Sequence, residues 1–291
     1  MTSLWFAFRQ TSKLLGSHHK LWIPFLVVAF VELFLLGLVW LAPHPPFSKL
    51  LAPPIRYFFG DRIFHYPWHL WFLYQAMKHT HLIALTLVGA FFTGVACVMV
   101  RQTHEQVPLS LRTALVNRKV RYGVVLLLWV ITVGLAKGVA ELLVHVLPKA
   151  AWGGWVLMGS MVVVQTLLIY AIPAAVFNGS TWWRALSQGI RETLRHPVTS
   201  FVVVALPTAA VLLFSLAAPP ARVAQWTARS MPEITFAFVA ARLVIWTLTD
   251  AIMTVSVAHL WWIHRAPQRV VAPSVASTVA PARFQEGPVV A

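Results

Sequence analysis

Apolar and polar residues alternate along this chain in one repeated order: a basic amphipathic stretch, an apolar span, a break, and a second apolar span. The unit occurs three times, and such repetition is typical of an internally repeated fold. Each apolar span has about the 20 residues that a bilayer requires. We place the spans at residues 21–42, 81–100, 122–147, 154–177, 198–217 and 234–262. A span in lipid must satisfy its backbone internally, so the sequence predicts an all-α polytopic membrane protein with six transmembrane helices.

The three amphipathic stretches begin the repeats, which cover about residues 3–100, 108–177 and 180–262. In the third stretch, four apolar residues share one helix face: Trp183, Leu186, Ile190 and Leu194. Ser180 is its predicted N-cap, and Pro108 suits the first turn of the second stretch. Such helices either dock on the lipid headgroups or form cytoplasmic extensions of the following spans. The break at Pro197 favours docking on the headgroups. The basic residues predicted to face headgroups are Lys13, Arg112, Lys119, Arg184, Arg191 and Arg195.

The first repeat carries an insertion at residues 43–80, because Ala7, Ala114 and Ala185 align although they lie 107 and 71 residues apart. An insertion into one copy of a repeat often marks a functional face. The segment is rich in aromatic and histidine residues, and its candidate site residues are Arg56, Asp61, His65, Trp68 and His69. The i, i+4 spacing of His65 and His69 could place two imidazoles on one helix face, where they could bind a metal ion. Pro67 disfavours a regular helix across them, so aromatic and histidine rings resting at headgroup depth are the favoured alternative.

Composition and charge agree with a membrane protein and indicate its orientation. The chain is 59% hydrophobic and 11% charged, whereas a soluble domain carries about 25% charged residues. Its net charge of +15 comes from basic residues between the spans, with 14 on the side of the amphipathic stretches and 7 on the other. The positive-inside tendency predicts that both termini and all three amphipathic stretches lie in the cytoplasm. This distribution favours contact with the phospholipid bilayer and gives no basic domain for nucleic acid.

Five ionisable residues lie inside the predicted spans: Glu32, Lys137, Glu141, Arg242 and Asp250. Each costs roughly 2.5–3.5 kcal/mol at a helix centre and needs a partner or a wet cavity. Lys137 and Glu141 are four residues apart on one helix face and could neutralise one another. Two interpretations stay open, a functional polar cluster between helices and structural contacts that hold packed helices together. His145 and His259 are predicted to be interface residues near span ends.

The sequence has no Walker loop, HExxH or GxSxG pattern, so it favours a protein that is not an enzyme. The one cysteine, Cys97, excludes an intrachain disulfide. No cofactor is expected, and a metal remains undetermined. Residues 1–264 form the predicted membrane domain. Residues 265–291 form a predicted disordered cytoplasmic tail, rich in Ala, Pro, Val and Ser.

The run AIPAAVFNGSTWWRALSQGIRETLRHPVTSF, residues 171–201, combines a proline-containing span end, a polar turn and an amphipathic helix. It resembles a loose group of bacterial multi-span inner-membrane families that includes the membrane domain attached to some glycerophosphodiester phosphodiesterases. The resemblance implies a fold and a multi-pass protein of the bacterial inner membrane, and it implies no catalytic residues.

The hypothesis that these patterns favour is a non-enzymatic scaffold or accessory subunit of the inner membrane. It would contact lipid and either other membrane proteins or a second copy of itself. Its contact surfaces would be the amphipathic helices and the external aromatic segment. The alternative is a small transporter or lipid-handling protein that uses the intramembrane polar cluster. A third hypothesis is a metal-dependent membrane enzyme centred on the external histidines.

Overall fold

The chain folds as an all-α membrane protein. The computed structural model describes residues 4–65, 84–117, 120–146, 153–217 and 232–270, which form helices and connecting turns with no strand among them. Six helical segments are long and apolar enough to cross a membrane: His19–Leu41, Thr86–His104, Tyr122–Val146, Trp155–Asn178, Pro197–Phe214 and Phe236–Arg265. Each coincides with one predicted span, so the prediction of six transmembrane helices is confirmed. We call them spans one to six.

Eleven α-helices lie within these described ranges. They are α1 Leu4–Ser17, α2 Ile23–Leu41, α3 Ser48–Phe59, α4 Ala90–His104, α5 Leu111–Leu115, α6 Tyr122–Val146, α7 Gly153–Leu168, α8 Ala171–Asn178, α9 Trp182–Arg195, α10 Pro197–Ala217 and α11 Pro232–Val270. Span one begins with a 3-10 turn, His19–Trp22, and span two begins with a π-helical turn, Leu85–Gly89. Span four consists of two helices, α7 and α8, although the sequence predicted one continuous helix.

The three amphipathic stretches form helices α1, α5 and α9, as predicted, although α5 has only five residues. All three meet at one end of the bundle, which we call the basic end. The Lys20 ammonium donates to the Leu109 carbonyl at 3.5 Å, and α1 and α9 both lie beside the last third of α11. Two predicted helix starts are wrong. Ser110 rather than Pro108 begins α5, with its hydroxyl accepting from the Thr113 N–H at 3.4 Å, and Thr181 rather than Ser180 precedes α9.

The largest buried apolar cluster lies toward the basic end, where α4, α8 and α11 contribute Met99, Phe177 and Trp261. Trp261 is fully buried in this cluster although it lies near the end of span six. By contrast, the outer faces of α2 and α6 leave large apolar side chains exposed, including Phe30, Phe34, Leu127 and Leu142. Exposed apolar faces on helices of this length are expected where lipid is the solvent.

Two boundaries differ from the sequence prediction. The described part of the predicted insertion, residues 43–65, contains a helix, α3, and a 3-10 turn, Asp61–Phe64, which the sequence pattern did not predict. Helix α11 continues to Val270, so residues 265–270 are helical rather than part of a disordered tail. The rest of the predicted tail, residues 271–291, lies outside the described residues.

Candidate functional site: an intramembrane cavity and two histidine clusters

A cavity of about 380 Å³ lies inside the bundle. All spans except the fifth contribute to its lining. Most of its wall is apolar, with Phe25, Phe92, Met161 and Met253 among the lining residues. A volume and a lining of this kind are those of a small-molecule site.

Three of the five intramembrane ionisable residues line this cavity: Glu32, Lys137 and Asp250. They come from α2, α6 and α11, and each lies in the central part of its span. Glu32 is buried, and Asp250 is half-buried. Several uncharged polar residues share the lining: Thr93, Thr132, Gln165, Thr247 and Thr254. The fold therefore gathers charges from separate helices around one space.

The other two predicted members lie elsewhere. Glu141 is exposed and Arg242 is half-buried, and neither lines the cavity. Lys137 and Glu141, which could have neutralised one another, are both described, and no ion pair of 4.0 Å or less joins them. Lys137 instead contributes to the cavity wall.

The cavity wall includes the interruption of span four. Helix α7 ends at Leu168 and α8 begins at Ala171, with a turn at Ile169 and Tyr170. Pro173 has no backbone N–H, so it cannot donate to the Ile169 carbonyl as a helix would require. Gln165, Ile169 and Pro173 on either side of the turn all line the cavity.

Helix α9 packs directly against this interruption. A Cβ on Gly189 would lie 2.7 Å from the Ala171 nitrogen, a backbone atom that cannot move aside. Close approach brings the Thr193 hydroxyl to the Thr166 and Leu167 carbonyls, at 3.2 and 3.3 Å. The Thr166 carbonyl also accepts from the Ile169 N–H at 3.4 Å, whereas the Leu167 carbonyl lies in the last turn of α7, where carbonyls commonly lack an intrahelical N–H partner. The amphipathic helix thus adds a hydrogen bond at the end of a broken transmembrane helix.

Three polar side chains, those of Gln10, His259 and His104, form a hydrogen-bonded series across the basic end. His259 Nε2 lies 3.0 Å from the Gln10 amide oxygen, and His259 Nδ1 lies 2.9 Å from His104 Nε2. The amide oxygen accepts, so His259 donates from Nε2, and its Nδ1 accepts from the His104 N–H. His259 is buried, so its predicted interfacial place is wrong. This series joins α1 to α4 and α11.

A second cluster surrounds Glu192 of α9, whose side chain is only 3% exposed. Its Oε1 faces two histidines, with His264 Nδ1 at 3.3 Å and His196 Nε2 at 3.7 Å. Its Oε2 faces two arginines, with Arg195 at 3.8 Å and Arg265 at 3.9 Å. The His196 and His264 rings stack with centroids 4.0 Å apart.

The predicted headgroup residues mostly lie on the surface. Lys13, Arg112, Arg184, Arg191 and Arg195 are exposed, and Lys119 lies outside the described residues. On α9, Trp183 and Leu194 are 63% and 67% exposed. This helix therefore presents apolar and basic side chains together on its outer surface.

Two of the candidate site residues in the predicted insertion, residues 43–80, form a small local contact. Arg56 pairs with Asp61 at 2.8 Å and lies over the Phe64 ring at 5.4 Å. His65 is exposed, whereas Trp68 and His69 lie outside the described residues. The predicted metal pair of His65 and His69 therefore stays a prediction.

Sequence reasoning missed both clusters at the basic end. Glu192 and His196 have metal-ligand spacing, four residues apart on a predicted helix, and this signal could have identified two of the three members. Comparison with protein families, curated proteins and solved structures finds no match for this chain. The resemblance to bacterial multi-span families stays a prediction.

Proposed function

We propose that this protein is a small transporter or lipid-handling protein that binds an amphiphilic molecule in its intramembrane cavity. The cavity lined by Glu32, Lys137 and Asp250 carries this proposal. Charged groups in the middle of membrane spans are costly and commonly mark substrate or ion pathways. Charged residues that only hold packed helices together need to contact one another, whereas these residues surround a space large enough for a ligand.

The chemistry of the lining suggests the class of ligand. The lining includes the carboxylate residues Glu32 and Asp250 and the exposed Lys137 within a largely apolar wall, so an apolar body with a cationic or zwitterionic group fits best. Such a ligand would place its positive charge beside Glu32 and Asp250. Its apolar part would pack against residues such as Phe92 and Met253.

The interruption of span four supports the same function. Substrate sites of many membrane transporters are built where a transmembrane helix is discontinuous near the bilayer midplane, because freed backbone groups and altered packing are available there. Here the turn between α7 and α8 borders the cavity. A change at that turn would alter the cavity wall directly.

The proposed setting is the inner membrane of a bacterium, with the basic end and both termini in the cytoplasm. The excess of Lys and Arg on the side of the amphipathic helices supports this orientation. Exposed Arg184 and Arg191 beside Trp183 on α9 would then contact anionic headgroups of the cytoplasmic leaflet.

The binding of tetraphenylphosphonium, a lipophilic cation, tests the proposal on purified protein in detergent. We expect saturable binding that weakens roughly tenfold, or ~1.4 kcal/mol, in Asp250→Asn and in Glu32→Gln, because each loses one attractive charge. Glu141→Gln is the matched control, since Glu141 is an intramembrane carboxylate that does not line the cavity. Equal affinity in all four proteins, or no saturable binding, would contradict the proposal.

A scaffold or accessory subunit is the second candidate, and the outer surface of α9 favours it. Trp183 and Leu194 are largely exposed beside arginines, and tryptophan and arginine are enriched at protein interfaces. Native gel electrophoresis of solubilised membranes tests this role. A larger complex that is lost in Trp183→Ala with Leu194→Ala would favour the scaffold, whereas a lone protein in both samples would argue against it.

A further inference from the structure

The Glu192 cluster at the basic end lies apart from the cavity and has a geometry of its own. None of its members lines the cavity. Its carboxylate, Glu192, is buried and divides its two oxygens between two kinds of partner. Both histidines approach Oε1, and both arginines approach Oε2.

The distances within the cluster differ from those of tight ion pairs. Charge-assisted hydrogen bonds of this type are about 2.7–2.9 Å long, whereas the four cationic or imidazole nitrogens lie 3.3 to 3.9 Å from the carboxylate. His264 Nδ1 is buried and makes no hydrogen bond within the described part of the chain. Nitrogen and oxygen atoms therefore face one another across a gap.

We propose that Glu192, His196 and His264 bind a divalent transition-metal ion, Zn²⁺ by preference. One ligand atom from each residue lies within 4.8 Å of the other two. Two ligands at about 2.0–2.1 Å from a tetrahedral Zn²⁺ are about 3.4 Å apart. The Oε1 contacts of 3.3 and 3.7 Å bracket that value. Two imidazoles and a carboxylate are also an established ligand set for zinc.

Local structure positions each ligand. Glu192 and His196 lie four residues apart at the end of α9, and Pro197 then starts α10, which fixes the place where α9 ends. His264 comes from the end of α11. A bound ion would therefore join the amphipathic helix to the last transmembrane helix.

The two arginines are compatible with this site because they face the other carboxylate oxygen. Outer-shell groups that contact a ligating carboxylate orient it and hold its charge. Arg195 and Arg265 occupy that position on Oε2. The His196 side chain is partly exposed, which provides a route for the ion and room for a water molecule as fourth ligand.

Zinc binding by the purified full-length protein tests the inference. The protein is prepared without a polyhistidine tag, stripped with chelator and titrated with Zn²⁺ alone. We expect about one Zn²⁺ per chain, and an affinity at least about tenfold lower in His196→Asn and in His264→Asn. His19→Asn is the matched control, because His19 is an exposed histidine of the turn that follows α1 at the basic end. Glu192 is not substituted, because a neutral residue at this position would remove the buried carboxylate that Arg265 faces.

A second measurement does not depend on the variants. Co²⁺ bound to the wild-type protein should give the strong visible absorption of a tetrahedral site, and Zn²⁺ should displace it. Failure of the wild-type protein to bind Zn²⁺, or equal affinity in the wild type and both cluster variants, would overturn the inference. Because tetraphenylphosphonium binding at the cavity uses none of these residues, failure of one proposal is distinguishable from failure of the other.

Discussion

Thr193 shows how one side chain supports an irregular transmembrane backbone. Its hydroxyl lies on α9 and reaches two carbonyls at the end of α7. We expect Thr193→Val to lower the free energy of unfolding by about 1 kcal/mol, because the Leu167 carbonyl loses its side-chain donor and the Thr166 carbonyl keeps only the Ile169 N–H, while the side-chain volume hardly changes. Unfolding of the purified protein in mixed detergent measures this difference.

Thr208→Val is the control for that substitution. The Thr208 hydroxyl donates within its own helix, to the Val204 carbonyl at 2.7 Å, which the helix also satisfies through its ordinary backbone bond. We therefore expect a clearly smaller loss at this position. Equal losses in the free energy of unfolding at both positions would show that the hydrogen bond from Thr193 to α7 adds no stability beyond that of an intrahelical threonine.

Individual charged residues were predictable from sequence to different degrees. Glu32 and Asp250 stand out because a carboxylate in an apolar span is rare and costly. Glu192 does not stand out, because it lies on an amphipathic helix among arginines, a pattern typical of a solvated face. Its burial results from the packing of α9 against α7 and α8 and from the contacts of Glu192 with His264 and Arg265 of α11, which a local pattern does not contain.

Among the elements, the contact between α9 and the broken fourth span depends on Gly189. An added Cβ would meet the Ala171 backbone at 2.7 Å, so Gly189→Ala must push the two helices apart. We expect a loss of about 1–3 kcal/mol in stability, the usual cost of overpacking. Thermal unfolding of the detergent-solubilised protein measures it.

Gly159→Ala, in span four, provides the matched control. Gly159 lies in the middle of α7, and nothing lies within 4 Å of the position that its Cβ would take. Alanine there should be neutral or stabilising by up to about 1 kcal/mol, since glycine is a poor residue inside a helix. Similar melting temperatures for the two variants would show that α9 does not pack closely on α8.

Sequence patterns predicted the number of transmembrane helices but not every helix boundary. Hydropathy predicted six spans because lipid requires long apolar helices. It missed the break after Leu168, because the apolar sequence continues through Ile169 and only Pro173 signals an interruption. The pattern also gave no sign that α5 ends after five residues whereas α9 extends over fourteen.

For the whole molecule, the orientation in the membrane can be tested with single cysteines. Cys97 is the one native cysteine and is buried, so Cys97→Ala gives a cysteine-free background. We expect a membrane-impermeant maleimide to label Lys49→Cys in intact bacterial cells with a permeabilised outer membrane, and Ser12→Cys only after the inner membrane is opened. Both positions are exposed in the fold. Labelling in the opposite order would reverse the orientation predicted from the basic residues.

The sequence by itself determined the class of this protein, because the hydrophobic effect and the need for internal backbone hydrogen bonds act on each span separately. It also identified the charges inside the spans, since each of them conflicts with its local surroundings. Only the tertiary structure decided that Glu32, Lys137 and Asp250 share a cavity while Glu141 does not. It also decided that Glu192 meets His264, a residue far along the chain. Such proximity depends on how helices pack, and a local pattern of residues does not specify packing between distant elements.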